Sequence, residues 1–471
     1  MAAVGHSQLR QRRALPDRAR GPRSRAGALQ KSQNGGREMN VDRILSTALE
    51  HSSAEQTEAS VWITRSALTR FSNSTIHQNM LFENGVLKVR AVFGKKVASA
   101  TTNKLDAAGI RAVVDDVVRM ARLQDENPDF VSLPKPVAPV QSAKAFYDST
   151  AQSTPEQRAE AVRAVIAEAD RVCAMAAGSF TVQDCEHGVK NTLGVDALCR
   201  GTYANLLTVV TAPDGGFGYA AASSCDLGKI DACAVGKEAA ERANASRNPV
   251  GIEPGDYECI LMPYATSDML NMFAWMGFGA REYQERRSFI CDKLGTKIVS
   301  ELVSIWDDGL DPRTIVSPFD SEGVAKQRVD LVTNGVATGI LYDSYAAHKE
   351  GKQSTGHAPW GRAHNLIMAP GDATVDEMIA STRRGLLVTR FHYTNVAHAM
   401  SASFTGMTRD GTFLIEDGKI TTPVKNLRFM QSILEALSDA QMIGRDLKLE
   451  DRVLAPAIKV GKFRFSSATE F

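Results

Sequence analysis

The sequence is short of the features that mark whole protein classes. Its 471 residues include only seven cysteines (Cys173, Cys185, Cys199, Cys225, Cys233, Cys259 and Cys291), with no C-x-x-C pair. An odd, widely spaced set argues against a disulfide framework or a zinc ribbon and fits the reduced thiols of a cytoplasmic protein. Long apolar runs are missing too. The richest, Met269 to Ala280, falls well below the roughly 20 residues of a membrane-spanning helix and contains Asn271. Net charge is almost absent, with 55 Lys plus Arg against 54 Asp plus Glu. No chain-wide basic field therefore exists for gripping nucleic acid. Nor is there a G-x-S-x-G elbow, a Walker loop, a dinucleotide-type glycine turn or an H-E-x-x-H helix.

The charge that is present lies unevenly. Residues 1–38 carry nine Lys/Arg against two Asp/Glu, with no apolar periodicity. That composition cannot offset the entropy of ordering and predicts a disordered basic extension. From Met39 onward the patterns are those of a packed protein. Val41, Ile44, Leu45 and Ala48 repeat at helical spacing, and residues 60–101 alternate as strands, with Asn84-Gly85 read as a hairpin turn. A helix is expected near 105–123, and Pro128, Pro134, Pro136 and Pro139 mark a loop after it. Thr154, Pro155 and Gln157 spell a capping box, strands follow over 178–224, and another helix over 229–246.

A second unit begins near Glu253. Its strand Tyr257 to Met262 leads into the apolar stretch 268–280, after which strand signals dominate, with hairpin turns at Asn334-Gly335 and Asp417-Gly418. One helix interrupts them, capped by Thr374 and Glu377 and read as ending in Arg383, Arg384 and Gly385. The expected architecture is α+β: an extension over 1–38, a mixed strand–helix domain over 39–250, and a β-rich domain over 251–471.

Candidate chemistry is sparse. Among nine histidines, His392 and His398 are the nearest pair in the second unit, and a six-residue step on a helix splays two rings by roughly 120°. Ser354-Thr355-Gly356-His357, followed by Trp360-Gly361-Arg362 and His364, could admit a substrate backbone or form a polar surface loop. Asp320 and Glu322 could be a carboxylate pair or an ordinary turn.

The order of motifs over 39–471 resembles the TldD/PmbA family, in its PmbA (TldE) branch. Ser317-Pro318-Phe319-Asp320-Ser321-Glu322-Gly323 is followed by Asn334-Gly335, Tyr342-Asp343-Ser344-Tyr345, Ser354-Thr355-Gly356-His357 and Asn365-Leu366. Gly385-Leu386-Leu387-Val388-Thr389 and Ile415-Glu416-Asp417-Gly418-Lys419 complete the series, and Arg70-Phe71-Ser72-Asn73-Ser74 resembles the family's first block. The resemblance implies a two-domain cytoplasmic protein tied to metallopeptidase activity, peptide maturation and degradation of small unfolded peptides. An older label in the family is modulator of DNA gyrase.

In the TldD branch a helix bears H-E-x-x-x-H, and a late cysteine completes the zinc site. Here the corresponding segment is Asp268-Met269-Leu270-Asn271-Met272-Phe273-Ala274-Trp275, with Leu270, Asn271 and Trp275 at the motif positions and no late cysteine. Zinc needs imidazole, thiolate or carboxylate donors. The expectation is therefore a chain with no catalytic residue, no metal and no cofactor of its own, zinc residing in a TldD-type partner. The implied partners are that TldD-type subunit and a peptide, with a homodimer for the isolated chain; neither membrane nor nucleic acid is expected. Asp320, Glu322, Ser354, Thr355, Gly356 and His357 are the candidate substrate or partner contacts. Two alternatives stay open: a stand-alone metallopeptidase using His357, His364, His392 or His398, and a non-catalytic DNA-gyrase-modulator-type binder working through 1–38.

Overall fold

The computed structural model describes residues 40–136 and 143–468. The expected extension 1–38 and Pro139 lie outside them. The first sheet contains β1 (Gln56–Ser72), β2 (Thr75–Phe93), β3 (Lys96–Thr102), β4 (Met175–Asn191), β5 (Asp196–Thr211) and β6 (Phe217–Ser224), in the antiparallel order β3-β2-β1-β4-β5-β6. Its helices are α1 (Val41–His51), α2 (Ala107–Leu123), the single turn α3 (Asp148–Ala151), α4 (Pro155–Arg171) and α5 (Ala232–Ala245). The Thr154/Gln157 capping box is formed as expected.

Strand alternation decides what each face does. Ala59, Val61 and Ile63 of β1 pack with α1 and α2, while Phe180, Leu206 and Val210 pack with α4 and α5. On the alternate face Glu58 pairs with Arg90, which also reaches Glu322 of the second unit, and Trp62 stacks on His187, whose ring meets Phe319. Leu207 and Val209, also alternate, pack near Tyr264. The first sheet therefore has helices behind it and the second unit in front.

One turn is misplaced by the sequence reading. Asn84-Gly85 lies inside β2, paired with Thr64 and Ile63, and the hairpin turns at Asn73 and Ser74, both at positive φ. Gly85 serves packing instead: a Cβ there would stand 2.4 Å from a methyl of Leu105.

The second sheet begins with β7 (Gly255–Leu261), β8 (Ile305–Asp307), β9 (Val329–Thr333), β10 (Val336–Ala337), β11 (Leu366–Met368) and β12 (Arg384–His398). It ends with β13 (Ser403–Glu416), β14 (Lys419–Val424), β15 (Leu427–Ser432), β16 (Ala440–Glu450) and β17 (Val453–Ala468). The strands β17-β15-β13-β12-β7 are paired in sequence, and β7 pairs back to β17, so these five close into a ring. Phe391, Phe404, Phe429 and Phe463, one from each of four ring strands, pack with centroids 4.5–6.3 Å apart. Helix α6 (Pro263–Gly277) leaves β7 and packs on β12 and β17.

Asn334-Gly335 and Asp417-Gly418 do form the β9–β10 and β13–β14 turns, with positive φ at all four residues. The capped helix is shorter than expected. It spans Val375–Ala380 and stops at Ser381, while Arg384 and Gly385 already belong to β12. Gly385 is needed there because a Cβ would stand 2.5 Å from the Glu258 carbonyl on neighbouring β7. Two sheets, each with its own core, make this an α+β two-domain fold. Position 250 falls between α5 and β7.

Candidate functional site

Helix α6 has two faces. Ala265, Met269, Leu270, Phe273 and Met276 are buried in the second core, and Phe273 stacks on Phe289 at 4.7 Å. Gly277 lets that ring approach, since a Cβ would lie 2.3 Å from it. Asp268, Asn271, Met272 and Trp275, spaced i, i+3, i+4 and i+7, share the other face. They line a cavity of about 370 Å³, whose remaining wall includes Gly279, Glu282, Gly361, Arg362, Ala363 and Thr394.

The three motif positions therefore part company. Leu270 is 1% exposed in the core, whereas Asn271 and Trp275 face the cavity. The methionines of α6 divide as well: Met269 and Met276 are core residues, and Met272 reaches the cavity wall. Among the described residues no group of three or more His, Cys, Asp or Glu is placed to hold a metal ion. Of the histidines raised as displaced ligands, His357 is buried and bonded to Asp307, His364 is exposed, and His398 bonds Ser401. His392 rests against the Tyr393 ring.

Asp268 accepts the Phe391 N–H at 3.1 Å, and burial pushes its carboxyl up to about 7. Burial likewise raises Glu450 to about 8, with the Asp268 charge adding to it. Tyr219 donates to Glu450 at 2.8 Å, and Arg390, paired with Asp410, covers the Tyr219 ring. Neither Glu450 nor Arg390 is adjacent to α6 in sequence, which is why sequence reasoning missed them.

The raised carboxyl has a testable sign. A native pKa near 7 against about 4 unfolded means the folded state binds the proton between those values, so this group costs stability as pH rises through that window. Asp268→Asn keeps an acceptor for Phe391 but cannot ionise. Its stability relative to the unsubstituted chain is expected to improve by roughly 1–3 kcal/mol between pH 5 and pH 8. Urea denaturation across that range checks this; a pH-independent difference contradicts it.

The six residues picked from sequence sit together, beside the cavity rather than in its wall. Asp320, Glu322, Gly356 and His357 are buried, and Ser354 and Thr355 are half-buried. Asp320 accepts N–H bonds from Glu322, Val324 and Ala358 at 2.8–3.0 Å. Glu322 accepts from Arg90 of β2 at 3.0 Å and from the Ser344 amide at 3.1 Å, while Arg90 also reaches Glu58 at 2.7 Å. Burial opposes the Glu322 charge, but Arg90 and the Ser344 contacts hold the carboxyl below its usual range; Glu58, more weakly compensated, is raised.

His357 Nε2 is 2.8 Å from Asp307, and its Nδ1 is 2.9 Å from the Thr355 hydroxyl. Asp307 also accepts the amides of His364 and Asn365 at 2.6 and 2.7 Å. Burial works against its charge, yet the His357 bond, the nearby Lys326 and the Asn365 amide keep Asp307 well below the carboxylate range. Burial and Lys326 lower His357, against the Asp307 contacts that raise it, and because the Asp307 carboxylate can only accept, the hydrogen between them sits on Nε2. These carboxylates, with Asp343 accepting the Trp360 N–H at 2.9 Å, pin the backbone of 357–365. That loop delivers Trp360, Gly361 and Arg362 to the cavity rim.

The family model for the PmbA/TldA metallopeptidase C-terminal domain matches residues 254–467, and the model for PmbA/TldA metallopeptidase domain 1 matches 60–121. The chain belongs to the TldD/PmbA family. This TldD/PmbA-family chain is 24% identical to the metalloprotease PmbA of Escherichia coli O157:H7, over 89% of its own length and 96% of that relative's. It is also 24% identical to the metalloprotease TldD homolog of Haemophilus influenzae, over 79% and 84% of the two chains. The crystal structure of TldE from Thermococcus kodakarensis superposes with a TM-score of 0.82 at 20% identity, covering 90% of this chain and 99% of that one. That likeness is one of fold.

Proposed function

We propose that this chain is the zinc-free, TldE-type subunit of a cytoplasmic two-component peptidase, working in peptide processing beside a TldD-type chain that carries the metal. The observation that carries this reading is the cavity face of α6. Asp268, Asn271, Met272 and Trp275 offer one carboxylate, itself held toward its neutral form, with no imidazole or thiolate. Zinc with an open catalytic position needs three such donors. In this reading Asp320, Glu322, Ser354, Thr355, Gly356 and His357 frame the rim of the cleft, and substrate or partner contact falls to what that frame presents.

The test uses the purified full-length chain with and without a TldD-type partner. Elemental analysis is expected to find far less than one zinc per chain. Hydrolysis of an unfolded peptide should appear only with the partner and vanish with chelator. Stoichiometric zinc in the lone chain, lost on substituting His357, His364, His392 or His398, overturns the reading and makes this polypeptide the peptidase.

A further inference from the structure

Among the described residues lining the cavity over α6, Arg362 is the one cationic side chain, and no hydrogen bond or ion pair from a described residue engages its guanidinium. It is held by rings instead. Its Cζ lies 4.0 Å from the Trp275 centroid and 5.0 Å from that of Trp360. Cation–π contact with two indoles fixes the plane of the fork while leaving its N–H edges unused. Both indoles are about half exposed, 57% for Trp275 and 48% for Trp360. Neither is spent on burying itself.

The rim is also built against conformational preference. Trp360 has φ +66°, which bulky residues seldom adopt, and is tied there by Asp343. Gly361 follows at φ +64°, where a Cβ would lie 2.1 Å from the Leu341 carbonyl. A backbone held in this shape by buried carboxylates, ending in an unneutralised guanidinium between two exposed indoles, is organised for a ligand.

We propose that Arg362, framed by Trp275 and Trp360, binds a carboxylate of a peptide lying in the cavity over α6. The carboxylate is either the peptide's free C-terminus or an acidic side chain. This deepens the functional reading above and rests on it for the ligand being a peptide. The guanidinium fork meets a carboxylate with two parallel N–H···O bonds, stronger and more directional than a neutral pair. Asn271, one turn before Trp275, presents an amide that can both donate to and accept from a peptide bond. Glu282 and Asp268 are the acidic groups of this lining. The Glu282 carboxylate stands over Gly279, 2.6 Å from where a Cβ would be, where it can accept a peptide N–H. Asp268, its carboxyl raised by burial to about 7, carries less than a full charge against an incoming anion at neutral pH.

The experiment is a tryptophan-fluorescence titration of the purified full-length chain with three Ala/Ser hexapeptides. One has a free C-terminus, one a C-terminal amide, and one an amide plus an internal Glu. At least one carboxylate-bearing peptide is expected to bind tenfold or more tightly than the plain amide. Preference for the free acid identifies the terminus as ligand, and preference for the Glu peptide identifies the side chain. Arg362→Ala should abolish the preference, and Arg362→Lys should keep only part of it, retaining charge without the fork. Equal binding of all three, no binding of any, or a preference surviving Arg362→Ala overturns the proposal. The comparison of peptides on the unsubstituted chain decides the matter even if a variant fails to fold. Chelator-sensitive hydrolysis by the lone chain would defeat the subunit reading separately, without moving the acid-against-amide comparison.

Discussion

Arg90→Met is expected to destabilise the chain by about 3–5 kcal/mol, a large part of the 5–15 kcal/mol typical of a folded domain. Arg90 stands between Glu58 of β1 and Glu322 of the second unit, and all three side chains are largely withdrawn from water. Removing the cation leaves two buried carboxylates that raise one another's pKa. Methionine fills the volume, so the loss reports charge rather than a cavity. The sign with pH is definite. Without Arg90 both carboxyls take up protons in the folded state well above their unfolded value, so the deficit is greatest near pH 8 and shrinks as pH falls toward 5. Glu322→Gln in the Arg90→Met background should recover part of the loss, a coupling that a double-mutant cycle measures. A deficit under 1 kcal/mol at pH 8 would show that the triad does not tie the first sheet to the second unit.

Asp307→Ala is the second large effect. It strips the acceptor from His357 Nε2–H and from the His364 and Asn365 amides, three donors in a site with no exposure at Asp307 or His357. Each buried donor left unmet costs about 1–3 kcal/mol, so a total of about 4 kcal/mol or more is expected by chemical denaturation. Asp307→Asn should cost clearly less. Its carbonyl can keep the two amides while its NH₂ donates to Nε2, provided the ring moves its proton to Nδ1. Imidazole ¹⁵N shifts of His357 would report that tautomer change, and equal losses for Ala and Asn would contradict the hydrogen-bond account.

Much of the architecture was legible in the sequence because local rules and tertiary demands agree. The Thr154 box, the 3.6-residue stripe of α2 and the turns at Asn334-Gly335 and Asp417-Gly418 are all set by neighbours in sequence. Asn84-Gly85 carries the same dipeptide signal and fails, because Gly85 is there for the Leu105 side chain, contributed by a residue after β3. The helix at 375–380 stops before its basic residues because the chain must turn early to lay β12 beside β7.

The site was legible in part. Donor poverty at Leu270, Asn271 and Trp275 is a property of composition and needs no structure. That Asp320, Glu322 and His357 hold a loop, and that the loop presents Trp360 and Arg362 to Trp275, depends on Asp307 and Asp343 arriving from distant segments. No spacing rule carries that information.

Closure of the ring has a consequence for biosynthesis. Strand β7 has β17 as one of its two neighbours, and Leu261 meets Ile458 about 200 residues later. At 5–20 residues per second a ribosome needs roughly 10–40 s to make that stretch. Throughout that interval one edge of β7 has no mate, while the six strands of the first sheet are already complete. The nascent chain thus emerges with a finished front half and a waiting template, the state in which a chaperone or another strand has its opening.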